Sequence, residues 1–148
     1  MAKVLTIREP HATLFLTRFK RIETRSWRTP YRGELYIHSS KIIPKYDKVN
    51  MDVWNDCLRL YRRHSEETGK PIMIHPGLII AKAVLVDCVQ MTEQNIKELE
   101  ERNPLEIDAG FYRPGRYMWI MKDVEPLPEP IGNVRGHLGI WEWKGDTK

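Results

Sequence analysis

The sequence predicts an α+β domain, a small mixed β-barrel decorated by helices. Extended segments recur along the chain, some alternating and some continuously apolar, and the helical segments between them are scattered. No regular βαβ rhythm links them, and no glycine-rich phosphate loop follows a strand, which argues against a doubly wound sheet. At 148 residues the chain is one domain in size, residues 1–148, and long enough to bury a core.

Lys3-Val4-Leu5-Thr6-Ile7 reads as a short first strand. Pro10 then suits the first turn of a helix whose apolar face is Ala12, Leu14, Phe15 and Leu16. The chain runs extended from Ile22 to Trp27 and turns between Pro30 and Gly33. Gly33 to Ser40 alternates, with Leu35 and Ile37 on one face and Glu34, Tyr36 and His38 on the other, a half-buried strand. A long helix is expected from Pro44 to about Arg63, because Val49, Val53, Cys57, Leu60 and Tyr61 recur at helical spacing; Asp47, Asp52, Arg59 and Arg62 fall elsewhere around it. Gly69, Pro71, Pro76 and Gly77 mark a loop. Leu78 to Val89 is nearly all apolar and β-branched, as in a strand buried on both faces. Thr92 suits an N-cap, with Met91 and Ile96 placed as a hydrophobic staple, and the helix that follows stops before Pro104. Arg116 to Val124 reads as a strand, Pro126–Pro130 as a turn or loop, and Leu138 to Trp143 as the last strand.

Apolar residues make up 41% and charged residues 30%, the balance of a globular chain rather than a disordered one. No apolar run approaches the ~18 residues that span a bilayer, so no membrane partner is expected. The first residues lack the apolar stretch of a secretory leader, which makes the cytosol, or the nucleus of a eukaryote, the expected compartment. Cys57 and Cys88 are the only cysteines, and both are expected as buried free thiols. Their spacing to histidine does not suggest a metal, and no cofactor is expected.

The net charge of +4 is unevenly spread: residues 1–63 hold 14 Lys/Arg against 6 Asp/Glu, and residues 64–148 hold 10 against 14. The basic half concentrates its charge between Arg18 and Arg32, where six cations, one carboxylate (Glu23) and three aromatic rings fall within fifteen residues. Cations suit phosphate and planar rings suit stacked bases, so this stretch fits a nucleic-acid ligand.

Three blocks resemble a known family. Leu5-Thr6-Ile7-Arg8-Glu9-Pro10, then Lys20-x-x-Glu23-x-Arg25, then Tyr31-Arg32-Gly33-Glu34-Leu35-Tyr36-Ile37-His38 are similar, in that order, to the ASCH (activating signal cointegrator homology) domain of the PUA-like superfamily. Ser26-Trp27-Arg28-Thr29-Pro30, Pro76-Gly77-Leu78, Val86-Asp87-Cys88, Trp119 and Ile140-Trp141-Glu142-Trp143 extend the likeness over nearly the whole chain. The resemblance implies a PUA-like barrel with helices at its edges, a cleft beside the charged motif, and a role in RNA binding or nucleotide processing. One branch of the family hydrolyses N4-acylated cytidines with a Lys and a Thr of this motif and a later Glu. Glu23 stands here where that branch has the Thr, a carboxylate in place of a hydroxyl. Arg18 stands where the family motif usually begins with Gly.

The ligand candidates expected on this basis are RNA or a free nucleotide or nucleoside, with single- or double-stranded DNA and a protein partner as further candidates. In an extended segment Glu23 and Arg25 share a face, and Lys20 joins them only if the chain turns before Ile22. Lys20 and Arg25 would then hold phosphate or carbonyl oxygens, and Glu23 would accept from a base or ribose hydroxyl. In an enzyme that hydrolyses a modified nucleoside or cleaves RNA, Glu23 would be the general acid or base and Lys20 would stabilise developing negative charge. The plainer alternative for the three is a structural salt bridge. Arg8, Arg28, Arg32 and Lys41 are further phosphate candidates, with Ser39 and Ser40 at a strand end. Trp27 and Tyr31 can serve as stacking platforms or as cover for the core. His11 and His38 can approach the cleft, whereas His64, His75 and His137 read as loop residues.

Overall fold

The computed structural model describes residues 2–45 and 50–145. Its elements are β1 (Ala2–Ile7), α1 (His11–Leu14), β2 (Ile22–Arg25), β3 (Gly33–Ser39), α2 (Met51–Thr68), β4 (Ile79–Gln90), α3 (Glu93–Arg102), α4 (Pro104–Asp108), β5 (Tyr117–Ile131) and β6 (Ile140–Trp143). The six strands form one sheet in the order β2-β5-β4-β3-β1-β6, curled into a half-barrel with the four helices around it. All pairings are antiparallel except β1 with β3, where Val4 lies beside Tyr36 and Ile7 beside Ser39. The mixed α+β barrel expected from the sequence is the one observed.

The concave face of the sheet carries the main core. Leu5, Ile7, Leu35, Ile37, Ala81, Ala83, Leu85, Trp119 and Met121 meet Phe15 there, all essentially inaccessible to solvent. A second cluster joins α2 to α1 and the chain after it through Leu14, Phe19, Cys57, Leu60 and Tyr61. A third holds α3 through Ile22, Met91, Leu99 and Met118. No helix among the described residues is long and apolar enough to cross a membrane.

Where the structure departs from the sequence pattern, neighbouring strands or the ends of segments account for most of the difference. His38 is buried although it keeps the face opposite Leu35 and Ile37, because the chain between β5 and β6 covers it through Val134 and Gly136, beside Thr6 and Trp141. β4 is buried on both faces only from Ile79 to Ala81, with Lys82 and Val84 half-buried. Its pairing with β3 ends at Leu85, and beyond that it has β5 alone beside it, so Val86 is exposed and Cys88 half-buried. Pro126–Pro130 belongs to β5 rather than to a loop. β2 pairs only with Tyr117–Ile120, so the distal part of β5 has a free edge there, where a proline without an N–H is tolerated. Pro44 and Lys45 lie outside regular structure and α2 starts at Met51, while Asp47 and Val49 fall outside the described residues. Val53 is exposed, whereas Cys57, Leu60 and Tyr61 form the buried stripe. The helix runs past His64 to Thr68 and is closed by Gly69 in the left-handed conformation at φ 71°, which donates its N–H to Ser65 O. α3 begins with the expected Thr92 cap, reciprocated by Asn95.

Candidate functional site

The charged motif is built on the turn that follows α1. Thr17 to Phe19 bend the chain, and the Arg21 guanidinium donates back to Thr17 O and Lys20 O, at 2.7 Å each. That bend delivers Lys20 to the same side as Glu23. The Lys20 ammonium lies 3.9 Å from Glu23 Oε1, and Arg25 donates through Nε to Glu23 Oε2 at 2.9 Å. Arg25 Nη2 also donates to Thr6 O at 2.9 Å, tying β2 to β1. The guanidinium sits 5.3 Å from the Trp27 ring centroid and 5.9 Å from that of Trp119, within cation–π range of both.

Glu23 and Arg25 form part of the wall of an open cavity of about 710 Å³. Five segments enclose it: Thr6–Arg8 with His11, Glu23–Arg25 with Trp27, His38 with Ser40–Ile42, Phe111 with Arg116, and the 135–139 loop. Among the described residues five cations line it (Arg8, Arg25, Lys41, Arg116 and Arg135) against one carboxylate, Glu23. Of these, Arg8, Lys41 and Arg135 are exposed and come from three different loops. Trp27 and Phe111 add rings that are 44% and 53% exposed, large aromatic surfaces left uncovered at the mouth.

The polar floor is held in one protonation state by its own contacts. His38 Nε2 lies 2.8 Å from Val134 O, which only accepts, so Nε2 carries the proton. Nδ1 therefore accepts from the Thr6 hydroxyl, 3.1 Å away, and Thr6 in turn accepts from Trp141 Nε1 at 3.0 Å. Burial lowers the His38 pKa. Desolvation, helped by the charge of Lys20 and partly opposed by Glu23, lowers that of His11 to about 4. Both rings are thus neutral at neutral pH.

The other candidate residues divide clearly. Arg8, Lys41, Ser40 and Trp27 are on the cavity wall. Lys20 is not: it is fully buried, with its ammonium donating to Ile22 O at 2.9 Å and Ala109 O at 2.6 Å. Ser39 is also fully buried and off the wall, because the strand end turns its hydroxyl to Glu9 Oε2 at 2.6 Å. Tyr31 donates its hydroxyl to Glu34 O, at 2.5 Å, and Arg32 donates to Thr29 O and Tyr31 O, so both serve their own turn. Arg28 is exposed and off the cavity wall. Sequence reasoning missed Phe111, Arg116 and Arg135 and placed His137 merely in a loop. The available signal was glycine: Gly110 and Gly115 bracket the first stretch, and Gly132, Gly136 and Gly139 punctuate the second.

Comparison with known proteins adds a family and two relatives. The model of the family described as ASCH domain matches residues 5–129. Proteins named "Activating signal cointegrator 1" from Homo sapiens and from Mus musculus are each 26% identical to the chain over 138 residues, 93% of its length. The chain covers 22% of the length of each of those relatives.

Proposed function

The chain belongs to the ASCH domain family, and from that premise we propose that the cavity is a nucleic-acid site that takes one unpaired nucleotide of an RNA strand. The observation that carries the reading is the make-up of the cavity: among the described residues, five cations against one carboxylate around an open hollow with two uncovered rings at its mouth. The exposed cations Arg8, Lys41 and Arg135 suit the phosphates on either side of the inserted nucleotide. Trp27 and Phe111 suit its base, since a π-face accepts any base. Glu23 Oε2 is taken by Arg25, and among the described residues Oε1 has only the 3.9 Å contact with Lys20, which makes it the acceptor for a base N–H or a ribose hydroxyl. A concave site suits a splayed base better than a paired one.

The hydrolytic alternative needs the Lys20 ammonium at the reacting carbonyl. Two backbone carbonyls already take up that ammonium, away from the cavity wall, and this favours binding over turnover.

The test is fluorescence anisotropy with a labelled single-stranded RNA oligomer at low ionic strength, followed by a salt titration. Three contacted phosphates give a slope of log K against log salt of about −2. Single-stranded DNA of the same sequence and an RNA duplex serve as comparison arms, and the duplex binds more weakly because a base must be extruded. A folded sample that leaves the anisotropy unchanged at low salt overturns the reading. Release of product from an N4-acylcytidine, lost in Lys20→Ala, would move it to the enzyme.

A further inference from the structure

We infer that Lys20 is a positioning residue: from beneath the cavity it ties the end of α4 to the start of β2, and so sets where the Phe111–Arg116 wall stands. The inference rests on the nucleic-acid reading only for what the wall does. The tie itself is a matter of hydrogen bonds.

Lys20 is 0% exposed. A buried ammonium costs several kcal/mol in lost hydration unless its surroundings replace the water. Here the replacement is specific. One proton goes to Ile22 O, the first residue of β2, and another to Ala109 O, the residue that closes α4. The carbonyls at a helix end lack intrahelical partners, so a cation there satisfies a group that would otherwise be orphaned. Two residues beyond Ala109 the chain enters the cavity wall at Phe111. The wall is then held to the same strand twice more: Phe111 N donates to Thr24 Oγ1 at 3.2 Å, and Arg116 Nη2 to Thr24 O at 3.3 Å. Arg116 Nε also donates to Phe111 O, and its guanidinium lies 4.5 Å from the Phe111 ring centroid. Phe111 and Arg116 are thus one unit, hung from β2 at three points, of which Lys20 is the buried one.

The same pocket holds a second ionisable group. Glu106, on α4 and 2% exposed, accepts from Arg21 N at 2.8 Å through Oε1. Burial raises its pKa, and the nearby charge of Lys20 opposes the rise. Removing Lys20 alone therefore leaves two carboxylates, Glu23 and Glu106, with less compensation.

The test is a double-mutant cycle with Lys20→Met and Phe111→Ala, read by RNA affinity. Phe111→Ala weakens binding about five- to a hundredfold, the worth of one stacked ring. Lys20→Met weakens it as well, but in the Phe111→Ala background it adds less than about twofold, because it acts through the ring already removed. Hydrogen exchange without ligand provides the second readout. In Lys20→Met the amides of Ala109–Phe111 exchange at least about tenfold faster, while those of Ala83 and Leu85 in the core do not change. If Lys20→Met does not fold, Lys20→Met/Glu106→Gln removes cation and carboxylate together and takes its place. Additive losses, unchanged exchange at Ala109–Phe111, or a chain that folds in neither variant each overturn the inference. Wild-type protein that ignores RNA overturns the nucleic-acid reading instead, and the exchange experiment then judges the tie by itself.

Discussion

Glu23 is the residue on which the motif turns. It is 6% exposed and lies between two cations, one bonded through Nε at 2.9 Å and one at 3.9 Å. The close partner carries most of the interaction, since hydrogen-bonded pairing outweighs a longer Coulombic contact. Arg25→Gln therefore leaves a buried carboxylate poorly compensated and costs about 2–4 kcal/mol in urea unfolding. A loss below about 0.5 kcal/mol, the range of ordinary surface substitutions, would show that Glu23 does not depend on Arg25. His11 yields a pH prediction. Its pKa falls from 6.5 to about 4 on folding, so between those values the unfolded chain binds a proton that the folded chain does not. Stability is thus fully present above pH 6.5 and is lost as the pH falls towards 4. His11→Gln flattens that part of the profile, measured by urea unfolding across pH 4–7. An unchanged slope would mean that His11 titrates normally in the fold.

At the scale of elements, the loop between β5 and β6 shows how a segment without regular structure is placed. Val134 is buried and its carbonyl accepts from His38, while Gly136 packs against Thr6 and His38. A Cβ at Gly136 would stand 2.8 Å from Thr6 Oγ1 and 3.1 Å from His38 Cε1. Gly136→Ala must therefore displace the loop that carries Arg135 and His137. It is expected to cost about 1–3 kcal/mol of stability, by the general cost of overpacking, and to weaken RNA binding as well. Full stability with full affinity would show that the loop gives way freely. The capped start of α3 needed no tertiary information, because Thr92 and Asn95 satisfy each other within four residues. The strand character of Pro126–Pro130 did need it. Proline-rich sequence ordinarily reads as loop, and only the free edge of β5 beyond its pairing with β2 makes it admissible as strand.

Over the whole molecule, charge is sorted by place as well as by sequence. Residues 1–63 carry the excess of cations, yet two of the five cations on the cavity wall, Arg116 and Arg135, come from the acidic half. Arg8 and Arg135 lie 127 positions apart in the chain and line the same cavity. Arg8→Ala/Arg135→Ala is accordingly expected to flatten the salt dependence of RNA binding by about two phosphate contacts, with little effect on the fold. A slope unchanged from wild type would place both arginines outside the phosphate path.

By itself the sequence determined the α+β class, most element positions, the family likeness and the shared face of Glu23 and Arg25, which Lys20 joins only through a turn, because periodicity, caps and a short motif are local properties. Only the tertiary structure decided which of those three meets the cavity. Burial depends on what arrives from elsewhere in the chain: the carbonyl of Ala109 takes up Lys20, whereas Glu23 and Arg25 keep a face on the cavity wall. The far walls, Phe111 with Arg116 and the 135–139 loop, likewise became part of the site through the curl of the sheet, which carries residues more than a hundred positions apart to one hollow.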